Sequence, residues 1–336
     1  MHQRITEKKM NSSLNIAIAA DFSLAEKLVT ILEQSALSNL SITVIEAEKF
    51  SEEQNIRFNN KYVEQLGFGD VDWANYDYLL FAGSLPQVTY VATAAEAGCI
   101  VIDVLGICAY LNDIPAVVPG VNNEALQAVR QRNIVSLPNP QISQLALALK
   151  PILQQYQLVQ IMVTSLLPMT YKGEEKVREL VGQTAQLLNG IPLNEEQQRL
   201  AFNVSPIDNQ EESIKDQLLL QKILPEFNGQ FIEHSIQVPV FYGLSQMVTV
   251  VGYEFNEVDI PLVWQQDDLL RYHAEQLMTP VLNGEIEEND EALPLLHISQ
   301  VNTEQEKLSF WLVSDERGFG RARLAIELLQ LLLEND

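Results

Sequence analysis

Two thiols and four imidazoles are the side chains of this chain best suited to covalent or metal chemistry, and their placement favours neither. Cys99 and Cys108 each lie in an apolar stretch, with no His, Lys or Arg close in sequence to draw the thiol toward thiolate. Both read as buried packing residues. Two cysteines in 336 residues make no disulfide framework, so a reducing compartment is expected. His2, His234, His273 and His297 lack metal-ligand spacing, and no metal is expected.

The charge balance narrows the partners. Acidic residues outnumber basic ones 45 to 21, for a formal charge of −24. Nucleic acid and anionic membrane both need a basic face, so neither is expected as a partner. No apolar run is long enough to span a bilayer. The N-terminal MHQRITEKKMNSSLN lacks the apolar core of a secretion signal and reads as a polar arm over 1–13. The expected location is the cytoplasm.

Around this sits an α/β pattern. Residues 14–20 (LNIAIAA) read as a buried strand, 22–34 as an amphipathic helix, and 41–46 and 77–82 as further strands. A helix near 86–97 leads, past Gly98 as its stop, to strands at 99–104 and 115–119. Alternating strands and helices predict a doubly wound parallel sheet over 14–136. From 137 to 318 the pattern changes to an α+β domain. It holds helices at 141–154, 174–189, 211–224 and 265–278, and strands at 156–164, 236–242, 246–253 and 307–313. Residues 191–210 read as irregular, and the acidic stretch 283–293 as an exposed loop. A last helix, 319–333, is expected to complete the first domain.

Five segments, in order along the chain, resemble aspartate-semialdehyde dehydrogenases. Ala94–Asp103 (AAEAGCIVID) is similar to that family's A-x-E-A-G-x-x-V-I-D, and Val117–Asn122 (VVPGVN) to V-V-P-E-V-N. Residues 137–151 (LPNPQISQLALALKP) are similar to the segment P-N-C-S/T-x-x-Q that opens an apolar helix. Ala201–Pro206 (AFNVSP) and Trp311–Asp315 (WLVSD) match two further family segments. The resemblance implies a Rossmann-like NAD(P)-binding domain, a dimerisation domain, NADP as cofactor, and amino-acid biosynthesis as the family's setting.

The same alignment implies that the reactive positions are gone. The family's nucleophilic cysteine falls on Pro140, which has no nucleophile. Its substrate-carboxylate arginine falls on Gln237, and its acid/base histidine on Leu244. The phosphate-binding arginine falls on Ala109. The glycines of the dinucleotide loop fall on Ala19, Phe22 and Ala25, with Asp21 adding negative charge where phosphates would lie. The helix that carries a substrate-contacting Lys-x-Glu reads Leu218-Leu219 there, although Lys222 persists.

The expected function is therefore a homodimeric pseudoenzyme of this fold, with no bound cofactor, acting on a protein partner or a small metabolite. Two alternatives stand beside it. One is an active NADP-dependent dehydrogenase with a displaced site, for which Cys108 is the nearest thiol. The other is a metabolite sensor whose old cleft is lined by Asn139, Gln141, Ser143 and Tyr242, with Gln237 and Arg271 as further polar candidates. Asn139 and Gln144 match the family pattern.

Overall fold

A computed structural model describes residues 13–335 apart from 52, 195, 208–209, 256–258, 282–295 and 315–319. Its chain divides into two compact units, Met1–Asn139 with Arg321–Asp336, and Pro140–Gly320.

The first unit is built on β1 (Leu14–Ala20), α1 (Phe22–Gln34), β2 (Leu40–Glu46), β3 (Glu64–Leu66), β4 (Tyr78–Phe81), α2 (Val88–Glu96), β5 (Ile100–Asp103) and β6 (Ile134–Ser136). The strands form one parallel sheet in the order β3-β2-β1-β4-β5-β6. Parallel sheets are covered on both faces, so their strands are continuously apolar. That is why Ile16–Ala20 and Tyr78–Phe81 are buried without alternation. Helix α1 buries Ala25, Leu28, Val29 and Leu32, a stripe at helical spacing, and the closing helix Arg321–Asn335 packs on it.

One expected strand is absent. Residues 115–119 make a single parallel bridge, Ala116 with Ser136. The ladder cannot continue, because Pro115 O and Val117 N already bond Ser136 and the next donors would be the nitrogens of Pro119 and Pro138, which carry no N–H. Asn122 satisfies the groups on the other side, its Oδ1 accepting from Val118 N at 2.9 Å and its Nδ2 donating to Ala116 O at 2.9 Å.

The second unit opens with α3 (Pro140–Leu153) and β7 (Leu158–Leu167), then α4 (Glu174–Leu188), β8 (Ser205–Ile207), α5 (Gln210–Ile223), β9 (Gln230–Gln237) and β10 (Leu244–Gly252). It ends with α6 (Asp259–Gln265), β11 (Leu270–Tyr272), β12 (Leu296–Glu304) and β13 (Lys307–Ser314). Its seven-stranded mixed sheet runs β8-β9-β7-β10-β13-β12-β11.

Two expectations are corrected here. The strand placed at 236–242 is instead β9, ending at Gln237, because Pro239 has no N–H to extend a ladder. The helix placed at 265–278 lies earlier, at α6, and β11 follows it. The Asp267 carboxylate accepts from Leu269 N at 2.9 Å, a turn that stops the helix. Strands β3, β6, β8, β11 and β12 lie where the sequence pattern gives no strand. The expected acidic loop at 283–293 lies outside the described residues.

Candidate functional site

In a doubly wound sheet, ligands bind at the carboxyl ends of the strands where the order reverses, here around β1 with β2 and β4 beside it. The turn after β1 is closed by the chain's own groups. Ala19 and Ala25 are wholly buried. Asp21 caps α1, its Oδ1 accepting from Leu24 N at 3.0 Å, which removes one of the amides that an anion would use. The Phe22 ring packs edge-on against Phe50, centroids 5.4 Å apart.

Gln87 closes the neighbouring turn. Its Nε2 donates to Ala47 O just past β2 at 2.8 Å, and its Oε1 accepts from Ser84 N at 2.7 Å. Because β1 lies between β2 and β4, this side chain spans the end of β1. The turn thus presents the Asp21 carboxylate and the Phe22 ring, with Gln87 across its end.

After β5, residues 104–109 wrap around the buried carboxylate of Asp103. Its Oδ1 accepts from Gly106 N at 3.1 Å, and its Oδ2 from Cys108 N at 2.6 Å and Ser136 Oγ at 2.7 Å. Burial raises the Asp103 pKa more than these bonds lower it. Gly106 has φ 77°, and a Cβ there would stand 2.7 Å from Leu137 O, so the loop needs glycine. Ala109, at the position aligned with an arginine, is buried. Burial first, then the Asp103 charge, pushes the Cys108 thiol up to about 12. Burial and Asp77 push Cys99 up to about 12 as well.

The second unit holds a buried polar network. Pro140 is the first residue of α3, where a missing N–H costs nothing and the fixed φ suits helix entry. One and four residues on, Gln141 and Gln144 point into the sheet. Gln144 Nε2 donates to Gln246 Oε1 at 3.1 Å, and Ser314 Oγ donates to Gln144 Oε1. Gln246 Nε2 in turn donates to Gln141 O at 3.1 Å and Ser165 Oγ at 3.0 Å. Gln141 Nε2 donates to Glu233 Oε1 at 2.8 Å and Ser235 Oγ at 2.9 Å, and its Oε1 accepts from Tyr171 OH at 2.8 Å.

Gln237 ends β9, 3% exposed, with Nε2 donating to Leu167 O at 2.7 Å. Leu244 begins β10 and is buried. Of the residues expected to line a cleft, Gln141 and Ser143 are buried, Asn139 is half-buried and Tyr242 is exposed. Arg271 lies apart from them. It sits on β11, five strand positions from β9, or about 24 Å at ordinary strand spacing. Its neighbour there is a histidine pair, His273 Nε2 and His297 Nδ1, 2.9 Å apart.

Sequence reasoning missed Ser165, Tyr171, Glu233, Gln246 and Ser314. A signal existed for Gln246, which is in phase with the buried Val248 and Val250 on β10. Among the described residues, no group of three or more His, Cys, Asp or Glu could hold a metal ion, and no helix is long and apolar enough to cross a membrane.

Residues 149–266 match the family model described as semialdehyde dehydrogenase, dimerisation domain. The chain is 51% identical over 321 residues to a Haemophilus influenzae protein named USG-1 protein homolog, covering 96% of this chain and 98% of that one. It is 30% identical to aspartate-semialdehyde dehydrogenase 2 of Vibrio cholerae, covering 97% and 99%. The crystal structure of aspartate semialdehyde dehydrogenase II from Vibrio cholerae, complexed with ASA, superposes with a TM-score of 0.87 at 28% identity, covering 97% of this chain and 99% of that one.

Proposed function

Because the chain belongs to the aspartate-semialdehyde dehydrogenase family, we propose that it is a member without the family's reaction, keeping the fold as a dimeric binding or regulatory protein. The observation that carries this reading is the state of its thiols. Acyl transfer through a cysteine needs a thiolate, and the chain's two cysteines are both buried, with pKa values pushed up to about 12.

Other positions support the same reading. Pro140 opens the helix where the family's nucleophile aligns, and Gln237 and Leu244 supply neither a cation nor a proton-transfer group. The displaced-site alternative would use Cys108, whose amide is committed to Asp103 and whose thiol faces that acid's charge. Dinucleotide binding in the family's manner is lost as well, since Asp21, Phe22 and Gln87 fill its turns. Free, buried thiols fit a cytoplasmic protein.

The dimer follows from the second unit's sheet. On one face Val163, Val248 and Phe310 are buried. On the other, Met162, Leu166, Met247, Val251 and Trp311 stay half-buried or exposed. A second copy of the same face would cover them, giving an isologous interface.

Calorimetric titration with NADP tests the reading. No saturable heat is expected; binding at micromolar concentration would restore the enzyme alternative. Sedimentation should give a dimer, and a monomer at micromolar concentration would contradict the pairing.

A further inference from the structure

Gln237 carries an unexplained group. Its Nε2 is fixed by the bond to Leu167 O, so its Oε1 must point the other way; turning the amide over would set oxygen against oxygen. That Oε1 is buried and has no hydrogen-bond partner among the described residues. The same is true of Thr170 Oγ1. Burying an acceptor without a donor is costly, so such groups mark places where something else belongs.

The two groups share one corner of the second unit. Leu167 pairs with Gln237 at the end of the β7–β9 ladder. The chain beyond continues the pairing, with Met169 N donating to Val240 O at 2.8 Å and Thr170 N to Phe241 O at 3.1 Å. Thr170 therefore lies three residues past the end of β7, the strand paired with the one that holds Gln237. Phe241 and Tyr242, 42% and 47% exposed, border the corner from the turn after β9 and give it an apolar rim.

We propose that this corner binds a small neutral molecule bearing a primary carboxamide. Its N–H is donated to Gln237 Oε1, and its carbonyl accepts from the Thr170 hydroxyl. The chemistry is reciprocal: an amide oxygen can only accept, while a hydroxyl can rotate to donate, and a carboxamide offers one group of each kind. A carboxylate has no N–H for Gln237 and carries its charge against a neutral acceptor in a protein of charge −24. The inference rests on the reading that this site binds and does not react.

The test is thermal unfolding of the full chain with three matched probes: propionamide, propionate and N,N-dimethylpropionamide, the last lacking N–H. Propionamide is expected to raise the melting temperature saturably, by about 2 °C once it exceeds its dissociation constant about tenfold. The other two should leave it unchanged. Gln237→Met should abolish the response, and Thr170→Val should weaken it; the second variant serves if the first does not fold. No propionamide shift, an equal shift with N,N-dimethylpropionamide, or a response that survives both substitutions would overturn the proposal, a bound water alone then satisfying these atoms. Turnover of aspartate semialdehyde would instead remove the underlying reading, so the two failures are distinguishable.

Discussion

Gln144 and Gln246 share a hydrogen bond of 3.1 Å although 102 positions separate them in sequence. Both are wholly buried, and each also bonds Ser314 or Ser165, so these amides and hydroxyls tie helix α3 to the middle of the sheet. A satisfied network of this kind rigidifies a core; a half-satisfied one is worse than an apolar core.

Gln246→Ala should therefore destabilise the protein by roughly 3 kcal/mol, since it leaves Ser165, Gln144 and the Gln141 carbonyl short of partners and opens a cavity. Gln144→Met with Gln246→Met should cost less than the sum of the two single changes. Urea midpoints for the cycle check this, and strict additivity would show that the two side chains do not act together.

Asp21→Ala should cost about 1 kcal/mol through the lost cap on α1. NADP should not recover that loss. Melting curves with and without NADP decide it, and an NADP-dependent rise would mean that the turn after β1 still accepts phosphate.

Cys99 and Cys108 should be alkylated slowly in the folded protein, at a rate that still climbs about tenfold per pH unit from pH 7 to 9, and react fast on unfolding, because both thiols are buried and pushed up to about 12. Fast labelling of Cys108 in the native state would reopen it as a nucleophile.

Burial, then His297 and Arg271, lower His273 from 6.5 to about 4. A depressed folded value means that the unfolded chain binds the proton first. The stability tied to this group is thus complete above pH 6.5 and declines as pH falls toward 4. His273→Phe should flatten that part of the stability–pH curve; an unchanged slope would assign the loss to other groups.

Much of the first unit was legible because a parallel strand is a continuous apolar run, as in Leu14–Ala20 and Tyr78–Phe81. The stretch 115–119 has the same composition, but Pro119 and Pro138 deny its ladder the next N–H donors, which hydrophobicity does not record. Strand β9 was misplaced for a different reason. Its inward face carries Phe231, Glu233, Ser235 and Gln237, and its outward face Gln230, Ile232, His234 and Ile236, so polar and apolar residues are mixed on both faces and the usual alternation is lost. The apolar run Val238–Tyr242 then draws the eye to a turn. The candidate site was legible as a set of aligned positions, Pro140, Gln237 and Leu244. Its network was not, because hydrogen bonds between α3, β9 and β10 join residues about a hundred positions apart.

Pro140→Cys alone should yield no dehydrogenase activity, because a new thiol at the start of α3 would have neither a base at Leu244 nor a cation at Gln237. Measurable turnover by this single variant would mean that the remaining site is still competent.

The most direct measurement is NADPH formation from aspartate semialdehyde, phosphate and NADP, with the purified wild-type chain at a concentration matching the substrate. Even a single slow turnover is then visible. A trace equal to the protein-free blank is the expected result. A burst or steady formation of NADPH, abolished by Cys108→Ser, would contradict the loss of catalysis and identify the displaced nucleophile.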